Sequence, residues 1–357
     1  MKTLQAFKKL PRLLFAGRFA YDFDGMPLMT GRLPLRKRLN LLKCGVDQLR
    51  RGERPWAMPP AVQVEPTNRC NLSCPLCPTG TTVGKRPAGA MSRETFRRIL
   101  EQMGDHLVAA VLYSWGEPFL NRDLPGMISD CTARGILSVT STNGHFLQTQ
   151  EEALAVVDSG LSALVIALDG STQEIYQSYR HGGDMEKVKR CAEMVERAKA
   201  LRRSATPYTN LRTVVTSANV DDLPNLERLA RDLGVNMYSC KSLGCLVKSP
   251  AMTQYDSADE RYSRFAGPKR KSRSAATSRS ASRSSSGTAR SPGASSIINY
   301  PRPGARSASS LSVASGTAHP RKTCATRCAR TAKYRPFARS ARTAIAAATA
   351  ACSGARN

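Results

Sequence analysis

From residue 61 onward the chain alternates short apolar runs with longer amphipathic stretches. The runs at 61–64, 107–113, 137–141, 163–168, 211–216 and 236–239 have the length and β-branched content of strands. Helical spacing fills the gaps. Phe96, Ile99, Leu100 and Met103 fall at i, i+3, i+4 and i+7, with Ser92 placed to cap the helix. Met185, Val188, Ala192, Val195 and Ala198 form a second apolar face and are expected in the core. Strand–helix alternation predicts right-handed βαβ units and a parallel sheet, an α/β fold.

Residues 1–60 are basic and are expected to form helix and loop. The segment 36–43 mixes charge with apolar spacing, and the expectation is that it packs one face on the domain and solvates the other. No run of 18 apolar residues occurs, so no transmembrane helix is expected. The first ten residues lack the apolar core and cleavage site of a signal peptide.

The last quarter breaks the pattern. Residues 266–357 contain 18 Lys plus Arg and no acidic residue, so most of the net charge of +27 lies there. Leu311 is the only leucine of this tail, and runs such as 280–286 are low in complexity. Such a segment is expected to be disordered, because it cannot bury enough apolar surface to offset chain entropy. Two origins compete: an Arg/Ser-rich nucleic-acid tail, or out-of-frame translation of a GC-rich gene. The second is preferred. Residues 323–330 can be encoded so that the frame one base upstream reads Asn-Leu-Arg-Asp-Ala-Leu-Arg-Ala, and 346–350 can conceal Cys-Arg-Asn-Cys. Cys324, Cys328 and Cys352 would then be accidental. Nucleic acid is therefore an unlikely partner despite the charge. The expected organisation is a basic segment at 1–60, a catalytic domain at 61–245, a connector at 246–265 and the tail.

Eleven cysteines form no disulfide-type framework, which fits a reducing cytoplasm. Three of them, Cys70, Cys74 and Cys77, follow the first strand at spacings suited to a cubane, in which each thiolate holds one iron. Three ligands for four irons leave one iron open. A structural zinc site wants four closed ligands, and no second Cys-x2-Cys knuckle follows at the required spacing. Cys44, Cys131, Cys191, Cys240 and Cys245 are expected to be ordinary small apolar residues.

Cys-x3-Cys-x2-Cys after a strand, flanked by Thr67-Asn68-Arg69 and Asn71-Leu72, resembles the signature of radical SAM enzymes, in particular those with a C-terminal SPASM or Twitch extension. The resemblance implies a partial (β/α)6 TIM-like barrel, a [4Fe–4S] cluster and S-adenosyl-L-methionine. It implies reductive cleavage to a 5′-deoxyadenosyl radical that abstracts hydrogen from an unknown peptide or small molecule, with an electron donor such as flavodoxin or ferredoxin. Gly116, Glu117 and Pro118 are similar to the family's Gly-Gly-Glu-Pro motif, which holds the methionyl amino group; Trp115 stands where the first Gly would be. Leu76 replaces the usual aromatic before the last Cys. Ser141 and Asn143 match positions that take the ribose hydroxyls or the carboxylate, though Asn143-Gly144 also suits a plain turn. Asp169 could face ribose or substrate, or cap a helix. The segment 176–184 resembles the Tyr-Arg-x-Gly-Gly-Asp run of SPASM-type enzymes, and Arg180 within it is either an anion ligand or a surface residue. The alternatives to this function are a non-catalytic zinc or structural Cys protein, and a basic nucleic-acid binder acting through the tail.

Overall fold

The computed structural model describes residues 13–50, 54–81, 86–244, 254–257, 259 and 261–263, and the backbone of Ser296–Asn299. Its strands are β1 (Ala20–Phe23), β2 (Met26–Met29), β3 (Ala61–Gln63), β4 (Ala109–Val111), β5 (Leu137–Thr142), β6 (Ala163–Ala167), β7 (Tyr208–Val215), β8 (Met237–Ser242) and β9 (Ser296–Asn299). From β3 to β8 every neighbouring pair is parallel and follows chain order. A helix crosses between each pair, as parallel strands require. The result is the six-stranded partial barrel.

The helices form where the apolar spacing placed them. Arg93–Met103 is capped by Ser92, whose side chain accepts the Thr95 N–H, and it buries Phe96 and Leu100 completely or nearly so. Met185–Leu201 starts at Asp184, which accepts the N–H groups of Glu186 and Lys187, and buries Met185, Val188, Ala192, Val195 and Ala198. Each strand presents alternate residues to opposite sides. Leu164 and Ile166 of β6 join the core shared with the helices. Ala163 and Val165 belong to a second cluster, on the concave side. Cys131, Cys191 and Cys240 are buried, as small apolar residues would be.

Three expectations are corrected. Residues 1–60 contain an antiparallel hairpin, β1–β2, besides the helix Leu35–Arg50. Its turn, Asp24-Gly25, has φ of 52° and 84°, the positive pair that a two-residue hairpin favours. Met26 and Leu28 fill the concave cluster with Val139, Val165 and Met237, so the hairpin lies inside the barrel. Secondly, β7 begins at Tyr208 and β8 runs to Ser242, each longer than the apolar run alone, because polar Thr209, Asn210 and Ser239 are buried in pairs. Thirdly, the tail contributes β9, antiparallel to β8. The open edge of β8 offers unpaired backbone groups, and Ile297-Ile298 has strand propensity. The rest of the tail, its origin and the connector at 246–253 lie outside the described residues. Among the described residues no helix is long and apolar enough to cross a membrane.

The helix Leu35–Arg50 rests one face on the domain, as expected: Lys37 donates to the Arg134 carbonyl at 2.8 Å and Asn40 bonds Met58 in both directions.

Candidate cofactor site

The cysteine loop leaves β3 at the C-terminal rim of the sheet, where parallel barrels carry their chemistry. Four neighbouring strand ends close around it. The Cys70 sulfur receives the Leu72 N–H at 3.5 Å and the Asn143 amide at 3.8 Å. The Cys74 sulfur receives Arg180 Nη1 at 3.9 Å. Cys77 faces the Trp115 carbonyl at 3.8 Å. All three thiols are free. Burial pushes the Cys70 and Cys74 thiols up; the Leu72 N–H partly offsets this at Cys70 and the Arg180 charge at Cys74. Metal must therefore displace their protons, as thiolate ligation requires.

Gly116 and Glu117, beyond β4, hold the loop from beside. A Cβ on Gly116 would stand 2.1 Å from the Thr67 carbonyl oxygen and 2.8 Å from that of Arg69. Only glycine allows this approach. The Glu117 N–H then donates to the Arg69 carbonyl at 2.8 Å. Pro118 opens the short 3-10 turn Pro118–Leu120, where its missing N–H is no loss.

The Glu117 carboxylate is buried and accepts three hydrogen bonds: Asn143 N–H at 2.6 Å, the Thr142 hydroxyl at 3.0 Å and Phe119 N–H at 3.2 Å. Burial pushes its pKa up to about 7, and those donors with Arg180 oppose the rise. A carboxylate has roughly four lone-pair sites, so one remains for a ligand donor. Thr142, which the sequence reasoning passed over, thus does more for Glu117 than Ser141 does. Ser141 is half-buried on β5, and its place on the rim is shown without a bonded partner for its hydroxyl among the described contacts.

Asn143 joins strand ends. Its backbone binds Glu117, and its side chain donates to Asn71 Oδ1 at 2.7 Å. His145 fixes it further: His145 Nε2 accepts the Asp184 N–H at 2.9 Å, which leaves Nδ1–H to face the Asn143 carbonyl at 3.0 Å.

Asp169, beyond β6, caps no helix; Thr172 does that. Its fully buried carboxylate takes Arg180 Nε on one oxygen and the Val214 N–H, at 2.7 Å, on the other. Arg180 is thus a buried link between Asp169 and Cys74, not a surface residue. Asn219, near the end of β7, spends its amide on the Asp169 and Val214 carbonyls and is a structural cap. Leu76 packs with Tyr179 and Leu243.

Three thiols lie in one short loop, near enough for Cys74 and Cys77 to act on Cys70, with N–H donors at two of the sulfurs. Among the described residues no three His, Cys, Asp or Glu side chains close on a point that a single ion could occupy. Thiolates that each take a separate iron have no need to, and cysteine is the usual donor of such clusters. The donor set fits a cubane. The radical SAM superfamily model matches residues 64–230.

The match covers just under half of the chain. Members of that superfamily are enzymes, and their cofactors are a [4Fe–4S] cluster and S-adenosyl-L-methionine. The chain is 32% identical over 177 residues to the PqqA peptide cyclase of Gluconobacter oxydans, across 49% of this chain and 47% of that one. It is 28% identical over 175 residues to the "Probable GTP 3′,8-cyclase" of Methanocaldococcus jannaschii, across 49% and 56%. The chain spans about half the length of these curated relatives. A crystal structure of Streptococcus suis SuiB bound to S-adenosylmethionine aligns over 72% of this chain and 53% of its own, at 15% identity and a TM-score of 0.48, too loose a likeness to carry an argument. The radical SAM domain is shared by relatives named for a peptide and for a nucleotide, so it does not by itself fix a substrate.

Proposed function

We propose that this chain is a radical SAM enzyme of the SPASM-containing type that abstracts hydrogen from a peptide or small-molecule substrate in the cytoplasm, drawing electrons from a flavodoxin or ferredoxin. The observation that carries this reading is that the cysteine loop meets Glu117 and Asn143, from the ends of β4 and β5, and Arg180, from the turn after the helix Gln173–Gln177.

S-adenosyl-L-methionine on a reduced [4Fe–4S] cluster supplies a 5′-deoxyadenosyl radical. The chain's part is placement and exclusion of water. Cys70, Cys74 and Cys77 would each hold one iron. Glu117 offers a carboxylate to an ammonium, a charge-assisted bond. Gly116 allows the loop and the β4 end to meet, and Pro118 fixes the turn beyond. Asn143 and Ser141 stand at the β5 rim for hydroxyl or carboxylate groups. Asp169 acts on the site through Arg180, whose positive charge lies against the Cys74 sulfur and opposes the negative charge that thiolates bring.

Anaerobic reconstitution of wild type and Cys74→Ala, followed by reduction, tests the reading. Wild type is expected to release methionine and 5′-deoxyadenosine, and the variant neither. Undiminished cleavage in the variant sinks the assignment.

A further inference from the structure

The helix Leu35–Arg50 is packed with its polar side inward. Lys37 and Asn40 are buried against the domain, where they bond Arg134 and Met58, and half-buried Cys44 and Asp47 continue that side. Leu35, Leu39, Val46 and Leu49 point the other way, with exposures from 41% to 69%. At 3.6 residues per turn, these four and Leu42 fall within about 80° of the helix surface. Leu42 is half-buried at the edge of the cluster of Leu13, Leu33 and Val108. A Cβ on Gly45, which borders the stripe, would meet nothing within 4 Å. A surface helix ordinarily turns such a stripe to the core. Here it faces out.

Aromatic residues widen the stripe on both borders. Arg38 donates to the Leu14 carbonyl at 3.1 Å, which sets Leu14 and Phe15 along one border; Phe15 is 85% exposed. Asp47 accepts the N–H groups of Trp56 and Ala57 at 2.7 and 2.9 Å, which sets Trp56 along the other. Trp56 is 62% exposed, with the Arg50 guanidinium 3.6 Å from its ring centre. Single exposed apolar residues are ordinary, whereas a contiguous set marks a contact surface. Cations rim this one. Arg36, Lys43 and Arg50 stand seven residues apart along the Trp56 border, and Arg32 and Arg38 meet beside Gly17 at the Phe15 border. Asp47 is the only acid of the helix, and it and Asp105 pair with Arg50 and Arg36.

What covers this face must be apolar in the middle and acidic at the rim. Residues 1–12 and 266–357 do not qualify, since they contain 4 and 18 Lys plus Arg and no Asp or Glu. A second copy does not qualify either. The stripe has the alternating spacing of a coiled-coil seam, but only for two heptads. The rows beside the seam hold Arg36, Lys43 and Arg50 on one side and Arg38 on the other. They would meet like charge in a parallel or an antiparallel pair. An anionic bilayer does qualify. A helix with leucines on one face and Lys and Arg along its borders lies in the headgroup plane. Trp prefers that level, and Arg and Lys bury their stems there while their charges stay wet. At 16 residues and five cations, the helix is too short and too charged to span.

We propose that the face formed by Leu35, Leu39, Val46 and Leu49, with Phe15 and Trp56 at its borders, docks the chain on the surface of an anionic lipid bilayer. The leucines enter the acyl boundary, and Arg38, Lys43 and Arg50 meet the lipid phosphates. Lys37 and Asn40 keep the other side of the helix on the domain throughout, so docking requires no unfolding. The helix lies outside residues 64–230, and the proposal goes beyond the radical SAM reading without depending on it.

The test is co-sedimentation of the full chain with vesicles of phosphatidylcholine, pure or with about 30% phosphatidylglycerol. Wild type is expected to bind the anionic vesicles, and to bind them less in about 0.5 M sodium chloride. The basic tail would attract them too, so paired variants decide. Leu39→Ser/Leu49→Ser is expected to weaken binding roughly tenfold, because the apolar face supplies insertion. Leu201→Ser, an exposed leucine on another helix, should change nothing. Lys43→Glu is expected to weaken binding several times more than Arg190→Glu, which makes the same charge change at an exposed site elsewhere. That pair keeps the test open should the serine variant fold poorly. Tryptophan emission should shift to the blue on anionic vesicles in wild type and not in Trp56→Phe. Wild-type affinity in Leu39→Ser/Leu49→Ser, or equal losses from Lys43→Glu and Arg190→Glu, would assign binding to the tail or to net charge and overturn the proposal. So would failure to bind any vesicle, or a dimer that Leu39→Ser/Leu49→Ser dissociates, which would make the occupant another protein or a second copy.

Discussion

The Arg180 guanidinium lies against the Asp169 carboxylate, with Asp169 wholly buried and the Arg180 side chain 16% exposed, and its remaining arm points at the Cys74 sulfur. The two charges belong to each other before they belong to any ligand. A cationic group next to a metal-ligating sulfur favours the thiolate, so a residue eleven positions from its carboxylate partner acts on a cysteine 106 positions away.

Arg180→Gln is expected to cost about 3–5 kcal/mol of stability, because it leaves Asp169 charged and buried without a partner. Chemical denaturation measures it. The double variant Asp169→Asn/Arg180→Gln is expected to lose less than the sum of the two single changes. Additive losses would show that the pair is not coupled.

Glu117 predicts a pH dependence. Its folded pKa, about 7, lies above its ordinary value of 4.5. Below pH 4.5 both folded and unfolded chains hold the proton. Between the two values only the folded chain holds it, so stability falls as pH rises, and the loss is complete above 7. It amounts to about 3 kcal/mol at 1.36 kcal/mol per unit. The difference between wild type and Glu117→Gln, taken by denaturation at pH 5 and pH 8, isolates this contribution; identical slopes refute it. Affinity for S-adenosylmethionine is expected to weaken from pH 8 to pH 6, as the carboxylate loses the charge that meets the ammonium.

Gly116→Ala is expected to push the cysteine loop away from β4, since its Cβ meets backbone oxygen at 2.1 Å. Iron bound per chain after reconstitution should fall severalfold. Gly31→Ala, where a Cβ meets nothing within 4 Å, should leave iron content unchanged. Equal iron in both variants counts against the close-approach argument.

Asn143→Ala removes the bond to Asn71 and the contact with Cys70, and keeps the backbone N–H that serves Glu117. Iron retention should drop while the Glu117-dependent pH slope persists. Loss of both together would mean that the side chain holds the whole rim.

Much of this was legible in the chain, for reasons particular to each element. The parallel strands announced themselves by apolar runs buried on both faces, and Ser92 marked its helix by capping chemistry. The hairpin escaped notice among basic residues, although Asp24-Gly25 between Tyr21, Phe23, Met26 and Leu28 is a strong turn signal. The cysteine loop was readable because its three ligands are close in sequence. Thr142, His145 and the Asp169–Arg180 link were not, because pairing across strand ends has no fixed spacing.

The reach from Cys74 to Arg180 also has a meaning in time. A ribosome adding about 5–20 residues per second needs on the order of 5–20 seconds to travel from the cysteine loop to the arginine that shields it. Until then the thiols emerge without the guanidinium beside Cys74. The cysteine loop is an early-made part of the nascent chain that must wait, exposed to oxidants and stray metals, for its later-made half.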